Sequence, residues 1–100
     1  MKVHVHPVNF SVDRKLIAFI QERLDKLEKF YDKVVVADVF LKLDNTSEKE
    51  NKVVEVRLNV PGDDFLVTKQ CKSFEEAADQ SAECLERLLV KRKEKVRAFS

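Results

Sequence analysis

Two histidines near the start of the chain are the residues whose spacing first suggests chemistry. His4 and His6 lie two positions apart, so on a β-strand both side chains would point to one face and could supply half of a metal site. A closed metal site needs two further ligands, and no cysteine, histidine or acidic residue stands at a matching spacing. We therefore expect a solvated histidine pair without a metal ion. A small enzyme that uses this face is a rival interpretation.

Two cysteines and a few carboxylates are the other candidates for catalysis or metal binding. Cys71 and Cys84 are 13 residues apart without a CxxC pairing, which argues against a disulfide framework and a zinc knuckle, so we expect reduced thiols. Asp38 interrupts a predicted strand, and Asp63 and Asp64 lie in a predicted turn, where carboxylates serve solubility and turn formation. The sequence therefore predicts no catalytic residue, no metal ligand and no cofactor.

The composition excludes several large classes of function. The chain has 100 residues, of which 44% are hydrophobic, 37% are charged and one is glycine. A Walker loop, a Rossmann fingerprint and a nucleophile elbow each need two or more glycines, so none is present. The longest apolar runs are far shorter than the roughly 20 residues of a membrane-spanning helix, and the first residues lack the apolar stretch of a signal peptide. We expect one cytoplasmic domain over residues 1–100 that binds neither a membrane nor a small-molecule substrate.

Hydrophobic spacing predicts the elements that position the functional residues. Alternating apolar residues predict strands at 2–8, 34–43, 52–60 and 65–72. Apolar residues three or four apart predict one helix capped by Ser11 or Asp13, and a second that starts with a capping box at Ser73 and ends near Val96. The order β-α-β-β-β-α predicts an α+β fold, a four-stranded sheet with two parallel helices on one face. Double-stranded RNA-binding domains share this layout.

The same spacing predicts which side chains are buried. The first helix should bury one stripe over about five turns: Leu16, Ile20, Leu24, Leu27 and Tyr31. The second strand should bury Val35, Ala37, Val39, Leu41 and Leu43. The third strand should bury Val54, Val56, Leu58 and Val60. The second helix should bury Phe74, Ala78, Ser81, Leu85 and Leu88.

The basic charge is concentrated at one end of the chain, although the net charge is only +1. Residues 73–86 contain five acids and no base, whereas residues 87–100 contain six bases and one acid. Complementing the helix macrodipole, at about 0.3–1 kcal/mol per charge, explains part of this pattern. It does not require Arg87, Lys91 and Lys95 at i, i+4 and i+8 on one flank. Such a stripe favours a polyanion, bound through phosphate contacts and counterion release. A solvated helix end and an acidic protein partner are the alternatives.

A second set of bases lies on the first helix. At 100° per residue, Arg23 and Lys26 occupy the same rotational flank as the stripe on the second helix, and the packing decides whether the two flanks merge. Glu75 and Glu76 stand where double-stranded RNA-binding domains usually place lysines at the start of the last helix. Their carboxylates would repel a phosphate backbone, so that binding mode is not expected.

Three runs of residues carry a resemblance to a known family. They are residues 23–32, which end the first helix, Ala77-Ala78-Asp79, and residues 85–91 with the basic tail behind them. In this order and spacing they resemble the ribosome hibernation-promoting and ribosome-associated inhibitor proteins, also called the sigma-54 modulation protein family. The resemblance covers essentially all 100 residues.

The resemblance implies a translation inhibitor rather than an enzyme. Such a protein binds the small ribosomal subunit between head and body, where mRNA and the A- and P-site tRNAs lie, and silences idle ribosomes in stationary phase or stress. It would be a monomer off the ribosome. The rRNA-binding residues implied by position are Arg23, Lys26, Lys29, Arg87, Lys91, Arg92, Lys93 and Lys95.

Two departures from the family pattern bear on this expectation. Glu75 and Cys84 stand where the family often has an aromatic residue and a lysine, so one phosphate contact is either missing or supplied by a neighbour such as Arg92. The chain ends at Ser100, which resembles the short form without the C-terminal domain that pairs two ribosomes. The rival function is a protein-interaction module whose basic C-terminal helix binds an acidic partner.

Overall fold

Four strands form one mixed sheet in the computed structural model, which describes residues 1–31, 33–34, 36–44 and 49–98, with only the backbone described for 95–98. The strands are β1 (Lys2–Pro7), β2 (Val36–Leu43), β3 (Lys52–Val60) and β4 (Asp63–Cys71). Their spatial order is β1-β2-β3-β4, with β1 parallel to β2 and the other neighbours antiparallel. The helices are α1 (Arg14–Asp25), extended by a 3-10 turn over Lys26–Lys29, and α2 (Phe74–Ala98). The predicted α+β fold and its element order are confirmed.

One face of the sheet is the core, and both helices cover it. The predicted inward residues of β3, from Val54 to Val60, are all buried, while Arg57 between them is exposed on the opposite face. Val56 lies opposite Val39 on one side and Val67 on the other, so the apolar positions of neighbouring strands line up across the sheet. Since β1 and β4 point the same way and each is followed by a helix that returns over the sheet, α1 and α2 are parallel.

The first helix is shorter than the apolar stripe predicts. Asp13 is the cap, because its Oδ1 accepts a hydrogen bond from the Lys15 amide at 3.0 Å. The α-helix ends at Asp25 and tightens into the 3-10 turn, in which Leu27 is fully buried. The Leu27 carbonyl accepts from the amides of Phe30 and Tyr31 at 3.0 and 3.1 Å. Such tightening is common where a helix runs out of backbone partners, and it leaves Tyr31 half-buried.

The second helix starts as predicted but buries a different set of residues. The Ser73 hydroxyl accepts from the Glu76 amide at 3.1 Å, which confirms the helix start. Ala78, Ser81 and Leu85 are buried as predicted, but Phe74 and Leu88 are only half-buried. The buried stripe is therefore wider than predicted, because three further residues are also buried: Ala77, Ala82 and Leu89.

The strand ends also differ from the prediction. Leu43 is the last residue of β2 and is 44% exposed, so it is not part of the core. β4 begins at Asp63, two residues early, because only Pro61 and Gly62 are needed for the turn. Gly62 has φ +83°, a conformation that glycine adopts without strain. Val35 and residues 45–48 of the predicted polar connection lie outside the described residues. None of the described helices is long and apolar enough to cross a membrane.

Candidate nucleic-acid interface

The first two residues of the α2 basic stripe, Arg87 and Lys91, point away from the sheet. Arg87 follows the buried Leu85 by two residues, which is about 200° around the helix axis, and its side chain is 73% exposed. Its guanidinium lies 3.6 Å from the Glu83 carboxylate, one turn earlier, and an exposed pair of this kind contributes about 0.3–0.5 kcal/mol. Lys91 and Lys93 are also exposed. The side chain of Lys95 lies outside the described residues.

The 3-10 turn presents two lysines on one side. In a 3-10 helix the side chains at i and i+3 eclipse, so Lys26 and Lys29 project together, and both are exposed. They line a shallow groove with residues of the outward face of α1, among them Ala18 and Glu22. The two lysines therefore face away from the sheet, as Arg87 does.

Two of these side chains, Lys29 and Arg87, lie at about the same level along the two parallel helices. Arg23 of α1 contacts Asp79 of α2, so these residues mark one level. From there Lys29 and Arg87 are each roughly 12 Å further along. We call the four exposed side chains on this surface the outer patch: Lys26, Lys29, Arg87 and Lys91.

The two helix flanks do not merge across the groove between the helices. Arg23 Nε donates to Asp79 Oδ1 at 2.7 Å, and its side chain is only 22% exposed. Because the helices are parallel, the same rotational flank of each points in the same direction. The flank of α1 that carries Arg23 faces α2, whereas Arg87 is about 80° further round α2 than Asp79. Arg23 thus meets an acidic residue in the groove, whereas Arg87 lies on the outer surface of α2.

Arg92 is held by the turn between β3 and β4. Its Nη1 donates to Asp63 Oδ2 at 3.2 Å, and its Nη2 donates to the Pro61 carbonyl at 2.9 Å. The side chain is 24% exposed, and Nε is buried with no hydrogen-bond partner in the described part of the chain. The structure therefore places this guanidinium against the hairpin tip, whereas Arg87 is open to solvent.

The histidine pair lies on the open face of the sheet, opposite the helices. His6 Nε2 is 3.1 Å from Asp38 Oδ1, and the His6 ring stacks on Phe40 with ring centres 5.0 Å apart. The His4 ring centre is 6.3 Å from that of His6. Across the described residues, no group of three or more histidine, cysteine or acidic side chains is placed to hold a metal ion. The contacts of His6 with Asp38 and Phe40 follow from the parallel register of β1 and β2.

The two cysteines carry free thiols. Cys71 is 5% exposed at the end of β4, whereas Cys84 is half-buried on α2. Burial raises the pKa of the Cys71 thiol, and the nearby carboxylates of Glu76 and Glu50 raise it further. A raised pKa reduces the thiolate fraction at neutral pH, so Cys71 is a poor nucleophile.

Sequence reasoning missed the acids that hold two of the arginines. The charge pattern places Asp79 among the acids that complement the helix dipole, and Asp63 lies in a predicted turn, yet they pair with Arg23 and Arg92 from 56 and 29 residues away. The contact at Asp79 could be anticipated from the sequence. When two parallel helices carry bases on the same rotational flank, only one of these flanks can face the other helix, so Arg23 must meet residues outside the basic stripe. No local pattern predicts the contact at Asp63, since it depends on how far α2 reaches along the hairpin.

Comparison with known proteins assigns the chain to a family. A sequence model of the family described as sigma 54 modulation protein / S30EA ribosomal protein matches residues 3–97. The chain belongs to this family. The ribosome hibernation promoting factor of Pseudomonas putida is 28% identical over 95 residues, which cover 95% of this chain and 89% of that protein. The factor of the same name from Azotobacter vinelandii is 27% identical over 95 residues, covering 95% and 85%.

Solved structures show the same fold. A ribosomal subunit interface protein from Coxiella burnetii matches with a TM-score of 0.82 at 15% identity, covering 93% of this chain and 98% of that one. The N-terminal domain of Protein Y from Thermus thermophilus matches with a TM-score of 0.77 at 19% identity, covering 91% and 98%. The family resemblance in the runs of the two helices and the predicted fold are both confirmed.

Proposed function

We propose that this protein is a hibernation factor that binds the rRNA of the small ribosomal subunit through the outer patch. It occupies the region used by mRNA and by the A- and P-site tRNAs, and so represses translation in stationary phase or stress. It makes and breaks no bond, because a rigid basic surface competes for phosphate-lined space. It acts in the cytoplasm as a single domain, a monomer off the ribosome, and needs no cofactor.

One observation carries this proposal. The outer patch is a set of exposed bases on the outward surfaces of two parallel helices, with Lys29 and Arg87 at about the same level, and Arg87 is 73% exposed beside only a weak partner. Such groups can exchange water and counterions for phosphate oxygens at little cost in internal contacts. The names of the two relatives support the biological setting, since both are called ribosome hibernation promoting factors.

The rest of the binding set is proposed with unequal roles. Lys93 is exposed near the end of α2 and is proposed as a further phosphate contact, as is Lys95 by its position in the sequence. Arg23 is 22% exposed and must exchange Asp79 for a phosphate before it contributes. A protein-interaction module remains an outcome of the test below rather than a second proposal.

Sedimentation with purified subunits tests the proposal. We expect the protein to sediment with small subunits and not with large subunits, and to be displaced when mRNA and P-site tRNA are bound beforehand. The association should weaken steeply between about 50 and 200 mM salt, as phosphate contacts do. Absence of association at low salt, or binding unaffected by mRNA and tRNA, would overturn the proposed site. A pull-down that survives nuclease treatment would favour a protein partner instead.

A further inference from the structure

The C-terminal part of α2 extends past the last residues that anchor it in the core. α2 has 25 residues and is about 37 Å long, whereas the nine residues of β4 span about 30 Å. Leu89 is the last buried residue of α2 among the side chains described. The bases of this segment follow Leu89, so their direction depends on what holds the helix beyond that point.

Arg92 provides that hold. It follows Leu89 by three residues and Leu85 by seven, which places it within about 60° of both around the helix axis. It thus continues the buried stripe at the point where the sheet surface ends in the β3–β4 turn. There the fork of its guanidinium bonds the Asp63 carboxylate at 3.2 Å and the Pro61 carbonyl at 2.9 Å. Two bonds from one planar group fix a direction as well as a distance.

The turn is shaped to receive this side chain. Gly62 lies between the two acceptor residues with φ +83°, and a Cβ at this position would stand 3.9 Å from Arg92 Nη2. This backbone conformation favours glycine. The residues on either side of Gly62 both accept from the Arg92 guanidinium, Pro61 through its carbonyl and Asp63 through its carboxylate. Nε of Arg92 is buried without a partner in the described structure, which costs free energy, so the two hydrogen bonds of Nη1 and Nη2 must offset that cost.

We propose that Arg92 is a positioning residue that clamps the end of α2 to the β3–β4 turn and thereby aims the neighbouring lysines at RNA. Lys91 and Lys93 lie about 100° to either side of Arg92 around the helix axis, so fixing Arg92 fixes the direction of both. This inference rests on the proposed function, because it assigns Arg92 an indirect part in the same RNA contact. Arg92 then contacts no phosphate itself.

Three variants distinguish positioning from a direct phosphate contact, with affinity for small subunits measured over a range of salt concentrations. Arg92→Gln removes charge and clamp, Arg92→Lys keeps the charge but loses the fork, and Asp63→Asn removes an acid from the turn. Positioning predicts a loss of about three- to tenfold in all three, with an unchanged slope of log affinity against log salt, because the lysines still reach their phosphates once binding has ordered the helix end. The double variant Arg92→Gln/Asp63→Asn should bind no more weakly than Arg92→Gln alone, since the Asp63 change removes a contact that Arg92→Gln has already broken.

A direct phosphate contact predicts different results for the same variants. Arg92→Lys would retain most of the affinity, Arg92→Gln would reduce the salt slope by about one, and Asp63→Asn would strengthen binding because a competing carboxylate is lost. Any of these three results overturns the inference. A second readout is amide hydrogen exchange in Asp63→Asn, in which protection should fall after Leu89 and stay unchanged between Ala77 and Leu89.

The proposed function is tested separately by charge reversal of Arg87 and Lys91. If that change leaves binding intact, the outer patch is not the interface and the proposed function fails. If charge reversal abolishes binding while all the Arg92 and Asp63 variants bind normally, only the positioning role fails.

Discussion

Three arginines of the candidate site differ in the exposure of their side chains and in whether each pairs with an aspartate. The side chain of Arg87 is 73% exposed, whereas those of Arg23 and Arg92 are 22% and 24% exposed. Arg23 and Arg92 each have an aspartate partner from a different element. A basic residue type therefore identifies a candidate for phosphate binding, and the tertiary partner decides whether its charge is available.

The first prediction concerns the pair in the groove between the helices. Asp79→Asn should strengthen binding to small subunits by up to about fivefold, because Arg23 no longer has to leave a carboxylate. The cost to the free energy of unfolding should be below about 1 kcal/mol, as for other partly exposed pairs. Affinity and urea unfolding measured on the same preparation check both expectations.

A matched change controls for charge alone. Asp64→Asn removes the same charge from an exposed carboxylate that pairs with residues of β3 on the open sheet face, and it should leave the affinity nearly unchanged. If both variants strengthen binding equally, the effect is a general change in net charge. If Asp79→Asn weakens binding, Asp79 orients Arg23 rather than competing for it.

At the scale of the elements, α2 depends on a cap at its N-terminus. The Ser73 hydroxyl accepts from the Glu76 amide at 3.1 Å. Ser73→Ala should lower the free energy of unfolding by about 1 kcal/mol, the usual cost of losing such a cap, and Ser73→Thr should recover most of the loss. The affinity for small subunits should stay the same well below the melting temperature, because the outer patch lies further along the helix. Chemical unfolding and sedimentation provide the two measurements, and a loss of affinity in Ser73→Ala would place the helix start in the interface.

The elements themselves follow largely from local patterns. The third strand is predicted with its bounds and its inward residues because the turn at Pro61 and Gly62 and a strict alternation define it. The end of α1 is missed, since both an α-helix and a 3-10 turn can bury Leu27. The exposure of Leu43 and the pairing of Arg92 with Asp63 are also missed, because each depends on where one element stops covering another.

The candidate site is predicted in its residue types but not in its geometry. Counting 100° per residue places Arg23 and Lys26 on one flank of α1. The 3-10 turn instead aligns Lys26 with Lys29, and the parallel helices turn Arg23 into the groove toward Asp79. The assembly of the outer patch therefore depends on the ending of one helix and on the packing of two, neither of which a single segment encodes.

At the scale of the whole molecule, the exposed bases of the candidate site lie on the helix side and not on the open sheet face. The outward surface of the helices carries the outer patch, while charged residues of the open sheet face pair with one another. Lys42 Nζ lies 2.9 Å from Glu55 Oε2, and Arg57 lies 3.9 Å from Asp64. Exposed acids such as Glu76 and Glu83 lie on the helices as well, so the net charge of +1 conceals a local basic patch within the helix surface, and a polyanion should dock on that patch.

The most direct test compares charge reversal on the two surfaces. One variant combines Arg87→Glu with Lys91→Glu in the outer patch. The matched control combines Lys2→Glu with Arg57→Glu, which are exposed residues outside the outer patch. Both variants change the net charge equally, and thermal unfolding confirms that each is folded at the temperature of the assay.

The measurement is the affinity of each variant for purified small subunits at two salt concentrations. We expect the outer-patch variant to bind about 30- to 100-fold more weakly, with a salt slope smaller by about two, because two phosphate contacts are lost. The control should change the affinity by less than about threefold. Equal losses in the two variants, or an outer-patch variant that binds like the unmodified protein, would contradict the assignment of RNA binding to the outer patch.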